Sequence, residues 1–323
     1  MFKWLFKDIN KPHSRLGIDL GNSAIKIVEL AKKGARVQLL NYAIAQSDEK
    51  ILGLSDLRDD EIGAILKNLM AQTKFESRSA NISLPVEKTF TTVIDMPIME
   101  EEEMVAAIPY EAQKYVPVPI EEVVLDWSFI PSAPPQKPAG EGGETQSQSE
   151  PETAPKTTVQ LLVVAVPKDI IDYLTRIAKF AGLEVSALEQ EAFSLSRSLI
   201  GADSGSYLIA DFGSKNIDLV VVDQGLTRIS HSLGLTSKEI ILMEMDRIVN
   251  LYQMRYNKRV GQCLLTGGRA AEQETIKFLE AKLKLPIKFG NPLARVDHAP
   301  ALDKIAAELG LQLAVAIGLA MRE

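Results

Sequence analysis

Two short strings hold the residue types that phosphate and metal chemistry needs. Residues 18–29 read IDLGNSAIKIVE and residues 210–221 read ADFGSKNIDLVV. Each runs apolar, Asp, apolar, Gly, three turn residues, Ile, one residue, then an apolar pair. In the first the reactive positions are Asp19, Gly21, Asn22 and Ser23. In the second they are Asp211, Gly213, Ser214 and Lys215. A glycine turn lets backbone N–H groups approach a phosphate. An aspartate at the strand end can hold Mg²⁺ through water, because that ion keeps most of its hydration shell. Two such turns facing each other would clamp a β/γ-phosphate and its metal from both sides, with Asp19 and Asp211 as the metal-side groups. Lys26 is either a solvent-facing strand lysine or a phosphate ligand, and Lys215 either meets a phosphate as a point charge or is a solvated turn lysine.

These turns need strands to carry them. Alternating apolar residues place strands on both sides of each turn, with a third at 37–45 and another at 226–233. Helical spacing marks 59–73, 100–115, 168–181, 189–199, 238–256, 270–283 and 312–321. Strands fit 80–84, 89–94, 123–130, 161–166, 184–188 and 263–266. The repeat, about 190 residues apart, predicts a duplicated α/β domain. Residues 131–157 hold six of the sixteen prolines and no apolar side chain larger than alanine, so a disordered loop insertion is expected there. At the start, Phe2, Leu5, Phe6 and Ile9 form a helical stripe beside Lys3, Lys7 and Lys11. That arm either rests on an anionic membrane surface through residues 2–9 or docks on protein.

Composition narrows the class. The 323 residues carry 36 basic and 43 acidic side chains, a net charge of −7, which argues against nucleic acid. The lone cysteine, Cys263, forbids an internal disulfide and a multi-cysteine zinc site, and three scattered histidines offer little to a metal. With no long apolar run and no signal-peptide pattern, a cytoplasmic protein is expected.

The two turns, the LLTGGRA string at 264–270, EQEAFSL at 189–195 and VAIGLAMRE at 315–323 together resemble the actin/Hsp70/hexokinase superfamily, in its order. Residues 84–130, LPVEKTFTTVIDMPIMEEEEMVAAIPYEAQKYVPVPIEEVVLDWSFI, are similar to the inserted 1C subdomain of the PilM family of type IV pilus assembly proteins. Pro97, Glu103, Glu111, Tyr115, Pro117, Pro119, Glu122, Val123 and Asp126 carry that likeness. FtsA, which shares the plan, would be expected to add a C-terminal amphipathic helix, and the type II secretion L-protein a membrane span. Here the second connecting string closes the sequence as given.

The resemblance implies a duplicated actin-like (ribonuclease H-like) fold. It divides the chain into an arm at 1–15, subdomain 1A at 16–84 and 159–190, and subdomain 1C at 85–130. Beyond the linker at 131–157 it implies lobe II at 191–302 and a connecting helix at 303–323. It implies an adenosine contact at Gly267 and Gly268, a general base at Glu191 or Glu189, and ATP with Mg as cofactor. Only about thirty residues separate 233 from 263, so subdomain IIB, one wall of an adenine pocket, is expected to be reduced or absent. At most weak ATPase activity then follows. The implied partner is the cytoplasmic tail of a PilN-like inner-membrane protein, held in a groove by Leu84, Val86, Ile108, Tyr115, Val116 and Trp127. A filament-forming or switching ATPase is the alternative, and a homo-oligomer is compatible with either.

Overall fold

The computed structural model describes residues 14–34, 36–46, 57–130, 158–270 and 272–322. The N-terminal stripe and the proline-rich stretch at 131–157 lie outside them, although residues 14 and 15 of the expected arm already belong to the first strand.

The chain opens with a three-stranded meander: β1 (Ser14–Leu20), β2 (Ala24–Lys33) and β3 (Arg36–Gln46). Helix α1 (Asp59–Thr73) and β4 (Ser79–Leu84) follow. Next come β5 (Phe90–Pro97), α2 (Glu101–Ala112), β6 (Val123–Ile130) and β7 (Thr158–Pro167). The chain continues with α3 (Lys168–Ala181), β8 (Glu184–Gln190) and α4 (Glu191–Leu199). A second meander is built from β9 (Ser206–Phe212), β10 (Asn216–Asp223) and β11 (Leu226–Gly234). It leads into α5 (Lys238–Tyr256), β12 (Gln262–Thr266), α6 (Gln273–Lys282), β13 (Ile287–Phe289), β14 (Val296–Asp297) and α7 (Ala306–Ala320).

Two compact units result, one of residues 1–89 and 169–323, the other of residues 90–168. The larger holds both lobes of the repeat. Its first sheet has the order β14-β3-β2-β1-β4-β8 and its second β11-β10-β9-β12-β13. In each sheet an antiparallel meander is extended by parallel strands beside its first strand. The duplication inferred from two twelve-residue strings thus reaches the topology of whole sheets.

The connecting helices α4 and α7 pack where only glycine fits. A Cβ on Gly318 of α7 would overlap the Ser194 backbone of α4, and one on Gly17 of β1 would overlap the Ala316 carbonyl of α7. Glu189 at the end of β8 ties this region together. It accepts from Arg197 Nη1 and Nη2 at 2.7 and 2.8 Å and from Arg322 Nη1 at 2.5 Å.

The smaller unit is a sheet of order β5-β7-β6 with α2 on one face. Ile94, Met96, Leu161 and Val163 pack there against Met104, Ile108 and Ala112 of the helix, and Trp127 joins them, half-buried. The sequence reading assigned 159–190 to subdomain 1A. Residues 159–167 of that span instead lie in β7, the central strand of this second sheet, paired along its length with β5 and β6.

Candidate functional site

The site is built by two hairpin turns of identical backbone design. Gly21 N–H donates to the Ala24 carbonyl at 3.1 Å, and Gly213 N–H donates to the Asn216 carbonyl at 2.9 Å. Both turns line one cavity of about 330 Å³, so the glycines of the two lobes face a shared cleft. Asp19, Asn22, Ser23, Asp211, Ser214, Gly268 and Glu191 lie on its wall.

Register explains what surrounds each aspartate. Asp19 sits opposite Lys26 across the β1–β2 ladder, and Lys26 Nζ binds Asp19 Oδ2 at 3.0 Å. Lys26 is 19% exposed and lines the cavity, so it is not a solvent-facing strand lysine. Burial alone would lower its pKa, but the Asp19, Asp211 and Glu191 carboxylates hold it above the ordinary lysine value. In lobe II the same register sets Asp211 opposite Asp218, so two acids occupy positions where lobe I has an acid and a base.

That cross-strand acid pair is costly. Burial, together with the Asp19 charge and against the pull of Lys26, pushes Asp211 up to about 6. Burial, then repulsion from Asp211, Glu87 and Asp19, raises Asp218 to about 7. Glu191, the first residue of α4, is pushed well above the carboxylate range by burial and by Asp218, Asp19, Asp211 and Glu87. Asp218 is 8% exposed, and its Oδ1 has no hydrogen-bond partner. Five carboxylates thus line a cavity that holds two cationic side chains, Lys26 and Arg269. Arg269 is itself paired with Glu272. Such a wall repels a bare polyphosphate and attracts a cation or protons. Glu87, on a 3₁₀ turn after β4, accepts from Asn216 Nδ2 and links the two lobes at the rim.

Several predicted residues are elsewhere. Lys215 is exposed on the turn and is not on the cavity wall. Gly267 is buried, with φ +99°, and its N–H donates to the Leu311 carbonyl at 3.0 Å. A Cβ there would strike Asp211 and Phe212, so close packing requires glycine at this position, which is not on the cavity wall. Gly268 alone of the pair faces the cavity. Glu189 is held by two arginines, as described, and leaves Glu191 as the acid of α4 in the cleft. Among the predicted partner residues, Leu84, Val86, Ile108 and Val116 are buried in hydrophobic cores and present no side chain to a ligand. Tyr115 is exposed and Trp127 half-buried. Sequence reasoning missed Asp218, Glu87, Asn216 and Arg269. Asp218 was detectable, since pairing Asp211 and Phe212 across the turn fixes its position.

The group an actin-like cleft implies is Mg-ATP. The phosphate and metal side fits. The two turns, the orphaned Asp218 oxygen and the surplus negative charge all suit a hydrated divalent ion beside phosphates. Among the described residues no three His, Cys, Asp or Glu side chains converge to bind an ion directly, which leaves contact through water. Between β11 and β12 the chain forms one helix, α5.

Residues 17–141 match the family model described as type IV pilus assembly protein PilM. The chain superposes on a solved PilM-PilN type IV pilus biogenesis complex with a TM-score of 0.77 and 21% identity, covering 97% of this chain and 99% of that one. Weaker likenesses include the ethanolamine utilization protein EutJ of Carboxydothermus hydrogenoformans, at TM-score 0.49 and 12% identity over 96% and 90% of the chains. The cytoplasmic domain of EpsL from the type II secretion system of Vibrio cholerae gives 0.48 and 10% over 92% and 93%. The fold is the duplicated actin-like one, and the resemblance read from residues 84–130 is borne out, since the matched span contains that string. No helix among the described residues is long and apolar enough to cross a membrane.

Proposed function

We propose that this chain is a PilM-type scaffold of type IV pilus assembly, working at the cytoplasmic face of the inner membrane. It captures the short cytoplasmic tail of a PilN-like membrane protein. The observation that carries the reading is the superposition along nearly the full length of both chains on a PilM-PilN complex, together with the family match over residues 17–141. Recognition is of an extended peptide whose apolar side chains enter pockets. Of the residues first considered, Tyr115 remains available. A second cavity of about 310 Å³ has the part-exposed Leu20, Leu57 and Tyr173 on its lining, together with the buried Ile25, Ile62 and Leu174. The test is calorimetry of the full chain with tail peptides from the membrane protein encoded beside it. Saturable binding, weakened by Tyr115→Ala or Tyr173→Ala, supports the scaffold; a flat titration with every tail peptide removes it.

The second reading is that the cleft binds Mg-ATP as a switch, favoured by the unpartnered Asp218 oxygen among five carboxylates. Asp19, Asp211 and Asp218 would hold the ion through water, and the turns at 21–23 and 213–214 would meet the phosphates. Bound metal and phosphate supply charge that draws protons from these acids. Glu191 acts as a base only once deprotonated, so turnover without the cation is not expected. Titration with labelled ATP and Mg²⁺ against wild type and Asp19→Ala tests this reading: binding lost in the variant supports it, and no binding by wild type ends it.

A further inference from the structure

Helix α5 has two apolar faces and buries only one. Ile241, Met245, Ile248 and Tyr252 point into the core of lobe II. Ile240, Met243, Leu251 and Met254 stand exposed, Met243 at 58% and Met254 at 77%. At the pitch of an α-helix these four fall within an arc of about 80°, and the exposed Arg247 lies in the same arc. They form one stripe along about 21 Å of helix. A helix of a soluble protein that is apolar on two sides is one that is covered on two sides. Helix α5 contributes no residue to either cavity wall, so a contact here uses neither.

The charges along the helix say what fits this face. Residues 239–246 hold Glu239, Glu244 and Asp246 and no base, whereas residues 247–259 hold Arg247, Arg255, Lys258 and Arg259 and no acid. The helix dipole favours acids in the first turn and bases in the last, but Glu244, Asp246 and Arg247 lie in mid-helix, beyond its reach. On the helix surface Glu244 and Arg255 border one side of the stripe, and Glu239, Asp246, Asn250 and Gln253 the other. We propose that the outward face of α5 is the contact between two copies of this chain, paired antiparallel about a two-fold axis near Arg247. In a two-fold contact of this kind each border meets its own reverse. Ile240 packs beside Met254 of the second copy and Met243 beside its Leu251. Arg255 reaches toward Glu244 of the second copy, because helical side chains lean toward their own N-terminus. Glu244 is already held on that border by Arg247 at 2.7 Å, with His231 at 3.4 Å. Glu239 and Asp246 meet the neutral Asn250 and Gln253. Parallel pairing would instead set Glu244 against the acids Glu239 and Asp246. A seam of this length is short for a permanent interface, so the dimer is reversible and depends on concentration.

Sedimentation velocity of the full chain tests the contact. The mass rises with concentration from one chain toward two. Met254→Glu, a surface change, holds it at one chain, and an unchanged far-ultraviolet circular dichroism spectrum verifies the fold. Glu244→Arg alone and Arg255→Glu alone each weaken the dimer, because each sets like charges opposite one another. Mixing these two variants restores it, since each supplies the charge the other lacks. Cross-linking reads the direction: Arg247→Cys joins to itself, whereas Ile240→Cys joins only to Met254→Cys. The native Cys263 is buried and takes no part. A mass of one chain at every concentration overturns the proposal. So does a dimer indifferent to Met254→Glu, a mixture that fails to recover, or Ile240→Cys joined to itself.

Discussion

The hairpin of β1 and β2 and that of β9 and β10 share one turn geometry and differ in what stands across from the aspartate. In lobe I it is Lys26, and the pair neutralises itself. In lobe II it is Asp218, and the pair carries surplus negative charge. A duplicated framework has thus been filled with opposite electrostatics, and only the second half calls for an external cation or a proton. The strands also differ in how they meet α7. Gly17 lets the helix backbone approach β1, whereas the equivalent position of β9 is Ile209, which packs in a core with Ala314 and Val315.

Making the lobes alike tests each difference. The largest loss of stability is expected for Gly17→Ile, which copies lobe II into lobe I. The side chain collides with backbone that cannot move aside, at a cost of about 3 kcal/mol or more, read as loss of soluble protein or a sharp fall in the urea midpoint. Lys26→Met removes the cation facing Asp19 and leaves a buried carboxylate unpaired. A loss of roughly 3 kcal/mol at pH 7 is expected, read from the urea midpoint. Stability unchanged by this variant would mean that the two hairpins are electrostatically equivalent.

Asp218→Asn acts in the opposite direction. An unfolded aspartate ionises near 3.8, but in the fold Asp211 ionises near 6 and Asp218 near 7. Between those values the folded state binds more protons, so wild-type stability falls as pH rises from about 4 to about 7. The variant flattens that decline and gains about 4 kcal/mol at pH 8, an order-of-magnitude figure from the shift. Added Mg²⁺ raises the wild-type Tm more at pH 8 than at pH 5, and the variant loses this increment. The smallest effect is expected for Lys215→Ala, within about 0.5 kcal/mol by thermal melting, because the residue is exposed on the turn and off the cavity wall.

The repeat was legible because its signal is local: a glycine turn between alternating apolar residues is visible in twelve positions. From it followed both meanders, the shared cleft and most of its wall. What escaped depends on neighbours distant in sequence. Gly267 has the form of a ligand glycine until β12 is set beside β9, where the Asp211 side chain fills the space. Leu84, Val86, Ile108 and Val116 drew attention by being apolar, which is also why they are buried. Lys26 alternates like a surface residue, yet both faces of β2 are covered here. The strand at 158–167 reads as well for one sheet as for another, since alternation specifies a strand and not its partner.

The glycine crossing of α4 and α7 constrains how the cleft could breathe. At Gly318 the two helices touch main chain to main chain, with no long side chains between them to act as rollers. Sliding one lobe past the other would break that fit, while a swivel about the crossing would preserve it. Any ligand that spans both turns would therefore be read out as an angle, with the displacement growing in proportion to distance from this bearing.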